Sequence, residues 1–285
     1  MADVLHPFFA SSRPLVFAHR GGSGLAPENT LDAFDNGLAL GADGLELDVR
    51  LSRDGVVVVH HDAAVDRTTN GRGAVRAYTA DELARLDAGC RFARDAGPAA
   101  QESRERGIGV PTLAAVLARY RDARIIVELK LNDPDLAVAA VEVVRRADAV
   151  ERVCFASFGL RVLRAARALE PAVATSAARE EVRWAVYRSW CRWPLRGARY
   201  AGFQVPERAG STRVVSRRFV DMAHRANLGV QVWTVDTEDD ARRLLDWGVD
   251  ALITDRPDIV VPVVQGVHFT SSPLAGRARP INCEE

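Results

Sequence analysis

Two histidines and two carboxylates lie at the ends of apolar runs in the first quarter of the chain. His19 ends one apolar run, His61 follows another, and Glu46 and Asp48 lie between them. Because Glu46 and Asp48 are two residues apart in a strand pattern, their side chains point to the same side. Two adjacent acids on an apolar strand repel each other and lose solvation unless a cation lies between them. We therefore predict a metal site.

A third acid, Glu128, ends another apolar run two residues before Lys130, the single lysine among 38 Lys and Arg residues. Three carboxylates suit a hard divalent cation, Ca²⁺ or Mg²⁺, whereas zinc prefers nitrogen and sulfur ligands. Arg20 and Lys130 beside these acids indicate an anionic ligand, because both can bind a phosphate together with the cation. Two histidines near that phosphate can divide general acid and general base roles. The set predicts hydrolysis of a phosphate diester.

The order of the apolar runs predicts the fold that positions these residues. Eight strand stations alternate with helix-length segments, which indicates parallel strands with crossover helices. Eight strands close a (β/α)8 TIM barrel. An open doubly wound sheet is the competing fold, but no G-x-G-x-x-G turn follows the first strand. The predicted strands are 15–18, 44–49 with 56–60, 125–129, 153–156, 172–175, 201–204, 230–235 and 251–254, and the predicted helices are 30–40, 79–86, 113–120, 135–146, 160–169, 217–226 and 237–247.

In such a barrel the carboxyl ends of the strands converge on one face, and most of the polar candidates lie there. Gly21 and Gly22, directly after Arg20, are expected to open the backbone for a close ligand. Asp255 is expected to contact Arg256 or a loop. The candidates at strand ends are His19, Arg20, Glu46, Asp48, His61, Glu128, Lys130, Ser157, Gln204, Trp233, Thr234 and Asp255.

Length and composition predict one globular enzyme-sized domain over residues 1–285. The polar, Gly- and Arg-rich segment 62–109 is too long for an ordinary loop and predicts an inserted lobe after the second strand. The tail, 265–285, is expected to be loosely ordered. A formal net charge of zero argues against a nucleic-acid partner. Four scattered cysteines and the lack of a signal-peptide pattern predict a cytoplasmic protein.

The same residues carry a family resemblance that covers about residues 14–262. The chain resembles the glycerophosphodiester phosphodiesterase family in His19-Arg20-Gly21-Gly22, Pro27-Glu28-Asn29-Thr30, Glu46-Leu47-Asp48-Val49 and His61-Asp62 with Asp66-Arg67-Thr68-Thr69-Asn70-Gly71. Later matches are Leu86-Asp87-Ala88-Gly89, Val110-Pro111-Thr112-Leu113, Glu128-Leu129-Lys130, Val232-Trp233-Thr234-Val235 and the run from Gly248 to Pro257.

This resemblance implies a TIM barrel with an inserted small domain, one divalent cation, and hydrolysis of glycerophosphodiesters to glycerol 3-phosphate and an alcohol. A neighbouring glycerol hydroxyl can attack phosphorus first, giving a cyclic phosphate that water opens. By position, the resemblance implies an acid/base pair, His19 and His61; metal ligands, Glu46, Asp48 and Glu128; phosphate-binding residues, Arg20 and Lys130; and a glycerol contact, Trp233. Gln204 is a further candidate for substrate binding from its strand-end position.

Residues 183–200 match nothing in that family pattern. They hold three of the five tryptophans and five arginines, with no acid. Such a segment suits peripheral contact with an anionic membrane. The alternatives are a surface helix with stacked Arg and Trp side chains, or part of the substrate rim. Two other classes of protein remain open. One is a lipid-directed phosphodiesterase of the lysophospholipase D or phospholipase C type. The other is a catalytically silent barrel, but the presence of both histidines argues against it.

Overall fold

Eight parallel strands form a barrel in the computed structural model, which describes residues 5–92 and 108–266. They pair in the order β6-β5-β4-β2-β1-β11-β10-β7, and a single parallel bridge between Ser176 and Gly202 joins the two outermost strands. The predicted (β/α)8 TIM barrel is therefore confirmed. The barrel strands are β1 (Leu15–His19), β2 (Gly44–Leu51), β4 (Arg124–Leu129), β5 (Val153–Ala156), β6 (Ala174–Thr175), β7 (Gly202–Pro206), β10 (Gly229–Trp233) and β11 (Ala251–Thr254).

Three further strands lie outside the barrel. β3 (Val57–Val59) returns antiparallel to β2 after the turn at Gly55, whose φ of 76° lies in the left-handed region. This hairpin carries His61 back toward the barrel mouth. β8 (Arg208–Ala209) and β9 (Thr212–Arg213) form a short exposed hairpin after β7.

The helices pack around the barrel through their apolar faces, and the buried side chains come from both the helices and the strands. Thr30, Thr112, Ser216 and Thr237 each accept a hydrogen bond from a main-chain amide of the helix that follows, which fixes where these helices begin. The helices are α1 (Leu31–Ala39), α2 (Ala80–Ala84), α3 (Leu113–Arg119), α4 (Pro134–Arg146), α5 (Leu160–Leu169), α6 (Arg179–Cys191), α7 (Arg217–Arg225), α8 (Glu238–Asp246) and α9 (Pro257–Gly266).

The amino-terminal end of the barrel is closed by aromatic side chains. Phe8 and Phe9, from the 3-10 turn Pro7–Phe9, are almost fully buried against strand residues. A β-carbon at Gly202 or Gly229 would lie 2.6 or 2.4 Å from the Phe9 ring, so both strands need glycine there. Aromatic side chains therefore fill this end of the barrel, and the polar candidates lie at the opposite, carboxyl end.

The described part of the segment after β3 has an apolar cluster of its own. Val65, Val75 and Leu83 are buried together with Val58 of β3 and Val110. The predicted insertion, 62–109, includes residues 93–107, which lie outside the described residues. The described part thus packs on the β2–β3 hairpin beside the barrel.

Two helices are absent from the sequence prediction. α6 covers the first half of the unmatched segment 183–200, as its surface-helix alternative expects. α9 begins at Pro257, because proline is tolerated in the first turn of a helix. The prediction of a loosely ordered tail from residue 265 is wrong for Gln265 and Gly266, which complete α9. Residues 267–285 lie outside the described residues. Among the described residues, no helix combines the length and hydropathy that crossing a bilayer requires.

Candidate active site

Three carboxylates meet at the carboxyl end of two adjacent strands. Glu46 and Asp48 are on β2, and Asp48 is in register with Glu128 of β4. Each of the three residues offers an oxygen within 4.8 Å of the other two. Glu46 and Asp48 are almost fully buried, and Glu128 is partly exposed. The strand pairing thus produces the predicted acidic cluster.

Burial and mutual repulsion make this cluster unfavourable without a cation. Burial, together with the charge of Asp48, raises the pKa of Glu46 to about 8. The pKa of Asp48 is lowered despite its burial, because Lys130, Arg20 and a hydrogen bond from Asn29 favour its charged form. The basic neighbours therefore favour the charged form of Asp48, whereas burial and the charge of Asp48 favour the neutral form of Glu46.

The donor set fits a hard divalent cation. All three groups are oxygen donors, the preferred ligands of Ca²⁺ and Mg²⁺. Oδ1 of Asp48 is buried and accepts no hydrogen bond, although Nζ of Lys130 lies 3.2 Å from it. A bound cation would supply a further positive partner for this buried oxygen.

His19 is held from both sides. Its Nδ1 lies 2.7 Å from Oδ1 of Asp255, and its Nε2 lies 3.7 Å from Oε2 of Glu46. Burial lowers the pKa of His19, but the charge of Glu46 and the hydrogen bond with Asp255 outweigh it and raise the pKa to about 9. Asp255 also accepts a hydrogen bond from the hydroxyl of Ser23.

His61 is oriented by a chain of charged groups. Its Nδ1 lies 2.6 Å from Oδ1 of Asp62, whose other oxygen accepts from Arg67. Both terminal nitrogens of Arg67 donate hydrogen bonds to Glu28, and Glu28 also accepts one from Arg20. Burial raises the pKa of Asp62, but Arg67 and His61 outweigh that effect and lower it well below its usual range.

Arg20 and Lys130 contact the acids from opposite sides. Nε of Arg20 lies 3.2 Å from Oδ2 of Asp48, and its main-chain amide donates to Glu46 over 3.1 Å. Nζ of Lys130 lies 3.2 Å from Oδ1 of Asp48 and 3.2 Å from Oε1 of Glu128. Both cations are mostly buried, and both line the same cavity as the histidines.

The two glycines after Arg20 allow a tight turn. Gly21 and Gly22 have φ of 89° and 93°. A β-carbon at Gly21 would lie 2.7 Å from the backbone of Ala33, and one at Gly22 would lie 3.1 Å from the ring of Pro257. Packing against α1 and α9 thus requires glycine at both positions, and the close approach of a ligand stays a prediction.

The cavity above the acids has a volume of about 760 Å³. Its inner wall contains His19, Arg20, Glu46, His61, Glu128 and Lys130. Trp233 and Gln204 also line it; Trp233 packs edge-to-face on Phe158, and Gln204 donates to Gln231. Oε1 of Gln204 is buried without a hydrogen-bond partner, so it remains available to a ligand donor. All the strand-end candidates line the cavity except Asp48 and Asp255, which contact lining residues instead.

Several residues that support the site were not expected from the sequence to do so. Asp255 does contact the loop residue Ser23, as predicted, but it also contacts His19, and Arg256 pairs with Asp258 instead. Asn29 donates a hydrogen bond to Asp48, and Thr30 caps α1. Glu28, Asp62 and Arg67 lie within the motifs quoted above, so their motif membership was the available signal.

Comparison with known proteins agrees with this geometry. Residues 19–259 match the model of the glycerophosphoryl diester phosphodiesterase family. A glycerophosphodiester phosphodiesterase of Caldanaerobacter subterraneus is 31% identical over 263 residues, which is 89% of this chain and 98% of that protein.

Two solved structures share the fold. The glycerophosphoryl diester phosphodiesterase domain of Rv2277c from Mycobacterium tuberculosis superposes with a TM-score of 0.76 at 24% identity, covering 90% of this chain and all of that one. A phosphodiesterase of Oleispira antarctica, solved in complex with the product sn-glycerol-3-phosphate, has a TM-score of 0.71 at 29% identity, covering 89% of this chain and 97% of that one.

Proposed function

Because the chain belongs to the glycerophosphoryl diester phosphodiesterase family, we propose that it hydrolyses glycerophosphodiesters to sn-glycerol 3-phosphate and an alcohol. The observation that carries this proposal is the shared cavity, in which two histidines, two basic side chains and a carboxylate cluster surround one space. The Oleispira relative binds the glycerol phosphate product, which supports this half of the substrate.

Glu46, Asp48 and Glu128 would hold one divalent cation, either Ca²⁺ or Mg²⁺. A bound cation supplies positive charge that stabilises the additional negative charge on the phosphoryl oxygens in the transition state. The protein itself supplies Arg20 and Lys130, whose charges favour a phosphate at the inner wall of the cavity.

His19 and His61 would divide the proton transfers. One imidazole removes the proton from the oxygen that attacks phosphorus, and the other returns a proton to the leaving alcohol. Asp255 and Asp62 each contact the Nδ1 of one imidazole, which leaves Nε2 of both rings for this chemistry. If the attacking oxygen is the neighbouring glycerol hydroxyl, the same pair acts again when water opens the cyclic phosphate.

The glycerol half of the substrate would lie against Trp233. Its ring lines the cavity at the end of β10 and presents an apolar face, while Gln204 offers an unpaired carbonyl oxygen nearby. A glycerol moiety has an apolar carbon edge and hydroxyl donors, and these two residues match both.

Turnover of glycerophosphocholine with added Ca²⁺ or Mg²⁺ tests the proposal. Release of glycerol 3-phosphate, lost in EDTA and restored by either cation, is the expected result. Release of choline phosphate with no glycerol 3-phosphate would place the scissile bond on the other side of phosphorus and overturn the assignment.

A lipid-directed activity is a second candidate, favoured by the apolar wall that α6 adds to the cavity. Val182, Val186, Tyr187 and Trp190 line the same cavity as the acids, so the cavity offers apolar surface to an acyl chain of a lipid substrate. Comparing turnover of lysophosphatidylcholine with that of glycerophosphocholine separates the two substrate classes.

Two further features of the chain belong to this proposal. We infer that the described residues 62–92 and 108–109 belong to an inserted lobe, because they have an apolar cluster of their own. We also infer a cytoplasmic location, which the free thiols Cys154 and Cys191 favour. No nucleic-acid partner is proposed, since the net charge is zero.

A further inference from the structure

The outer surface of α6 and the segment after it carry an unusual concentration of exposed aromatic side chains. Trp184, Tyr187, Trp190 and Trp193 are 45–59% exposed, while Ala185 and Ser189 on the opposite side of α6 are buried. The ring of Tyr187 stacks on Trp184 and meets Trp193 edge-to-face. Contiguous exposed aromatic surface of this kind marks an interaction site. We call residues 183–199 the Arg–Trp face.

The charges of the Arg–Trp face are all positive. It contains five arginines (Arg183, Arg188, Arg192, Arg196 and Arg199) and no acid. The guanidinium of Arg188 lies over the ring of Trp184, at 5.1 Å from its centre. Within the part of the chain that the structure describes, none of the five forms a salt bridge. Arg196 and Arg199 share a groove with Trp184 and two more exposed arginines, Arg164 and Arg225, which extend the positive surface.

Several exposed arginines on other helices have acidic partners. Arg119 pairs with Asp35, Arg146 with Glu142, and Arg242 with Glu238. Among the described residues, the arginines of the Arg–Trp face have no such partner, and they lie where the exposed tryptophans are. Unpaired arginines together with exposed tryptophans favour binding to a surface that has an anionic outer layer and an apolar interior.

The Arg–Trp face is continuous with the mouth of the active-site cavity. Arg183, Tyr187 and Trp190 belong to the face and also line the cavity that contains His19 and His61. A surface bound to this face would therefore lie beside the opening through which substrate reaches the acids.

We propose that the Arg–Trp face docks the protein on an anionic lipid bilayer, with α6 lying at the interface and the cavity mouth open toward the lipid. Tryptophan and tyrosine favour the headgroup region, and each arginine near an anionic leaflet adds attraction. A second copy of the chain is the less suitable occupant, because a twofold interface would bring the same five arginines against each other. The consequence for substrate, a phosphodiester taken from the membrane, rests on the proposed function.

Vesicle flotation of the full chain tests the docking surface. Vesicles of phosphatidylcholine alone are compared with vesicles that also contain phosphatidylglycerol, at low and high salt. Two variants change the face outside the cavity: Trp184→Ser with Trp193→Ser, and Arg192→Gln with Arg196→Gln. Controls outside the Arg–Trp face are Val138→Ser on α4 and Arg121→Gln with Arg146→Gln, which remove one exposed apolar side chain and two arginine charges.

We expect flotation only with the anionic vesicles, decreasing at high salt. The arginine variant should weaken partitioning by about 30-fold, as roughly 1 kcal/mol per arginine predicts, and the tryptophan variant by a similar factor. The controls should float like the unmodified protein, and all variants should hydrolyse glycerophosphocholine normally.

Several results would overturn the proposal: absence of flotation, equal flotation with neutral vesicles, or an equal loss in the controls. A concentration-dependent dimer that the tryptophan variant abolishes would assign the face to a second copy instead. Vesicle binding without turnover of any phosphodiester would refute the proposed function and leave the docking surface supported, so the two failures are distinguishable.

Discussion

Nδ1 of His19 lies 2.7 Å from Oδ1 of Asp255, although the two residues are 236 positions apart in the chain. They meet because β1 and β11 are neighbours in the closed barrel, with Ala18 in register with Thr254. The contact fixes the orientation of the imidazole and directs its Nε2 toward the carboxylate cluster. Barrel closure thus contributes a positioning group to the proposed acid/base pair.

Asp255→Asn should slow turnover of glycerophosphocholine by roughly 10- to 100-fold, less than the 10²- to 10⁴-fold that a general acid or base contributes. Because Asp255 helps to raise the pKa of His19, the variant should also shift one limb of the pH–rate profile to lower pH. Asp258→Asn is the control, since Asp258 lies nearby at the start of α9 and pairs with Arg256. An unchanged rate and profile would show that the contact has no role in positioning.

His19→Asn and His61→Asn should each abolish measurable turnover, because neither variant retains an imidazole for proton transfer. Cation binding, measured by calorimetry, should change little, since no imidazole is among the proposed ligands. His60→Gln is the matched control: His60 is next to His61, but its Nε2 contacts the carbonyl of Ala64. Activity in either of the first two variants would contradict the two-histidine assignment.

The sequence was sufficient to predict the barrel because its strands are short apolar runs. All eight runs form barrel strands, and β1, β5 and β11 begin and end within one residue of their predicted limits. The acidic cluster was predictable for the same reason, since a period of two places Glu46 and Asp48 on one side.

Contacts across barrel closure were not predictable from spacing. No local pattern shows that Asp255 meets His19, or that Arg67 connects Glu28 to Asp62. α6 was missed because its outer face is aromatic rather than polar, so the usual alternation of an amphipathic helix is weak. α9 begins at Pro257 and is almost entirely apolar, so its sequence shows little of the apolar–polar periodicity that predicts a surface helix.

Glu128→Gln should weaken cation binding by at least about 10-fold, or about 1.4 kcal/mol, and reduce turnover in parallel. The amide keeps the shape of the side chain but removes the charge that a divalent cation needs. Glu142→Gln, on the exposed surface of α4, is a control with the same chemical change. Full activity of Glu128→Gln with normal cation binding would refute its assignment as a ligand.

In EDTA, the protein should lose thermal stability as the pH rises from about 6.5 to 9. The raised pKa of His19 gives stability that is fully present below its ordinary pKa of 6.5 and lost as the pH rises through about 9. The raised pKa of Glu46 acts in the same direction, because ionisation near pH 8 places a charge in a buried site. A decrease in Tm of at least about 3 °C is expected.

Added Ca²⁺ or Mg²⁺ should raise Tm, and more at pH 9 than at pH 6.5, because it binds the ionised carboxylates. Scanning calorimetry of the unmodified protein and of Glu46→Gln, with and without cation, checks both effects. The variant should lose much of the cation-dependent gain and part of the pH dependence. A Tm in EDTA that does not change with pH would show that these two groups are not coupled to folding as described.

Lys130→Arg should reduce kcat/KM by at least about 10-fold, although the charge is kept, because a guanidinium is broader than an ammonium. Nζ of Lys130 lies 3.2 Å from both Asp48 and Glu128, in a position where its side chain is 13% exposed. A planar fork cannot contact both acids from that point without displacing one of them. Arg119→Lys, on the surface beside Asp35, makes the reverse exchange as a control and should leave turnover unchanged. If Lys130→Arg keeps its activity, the narrow ammonium site is not required, and the role of Lys130 is limited to its charge.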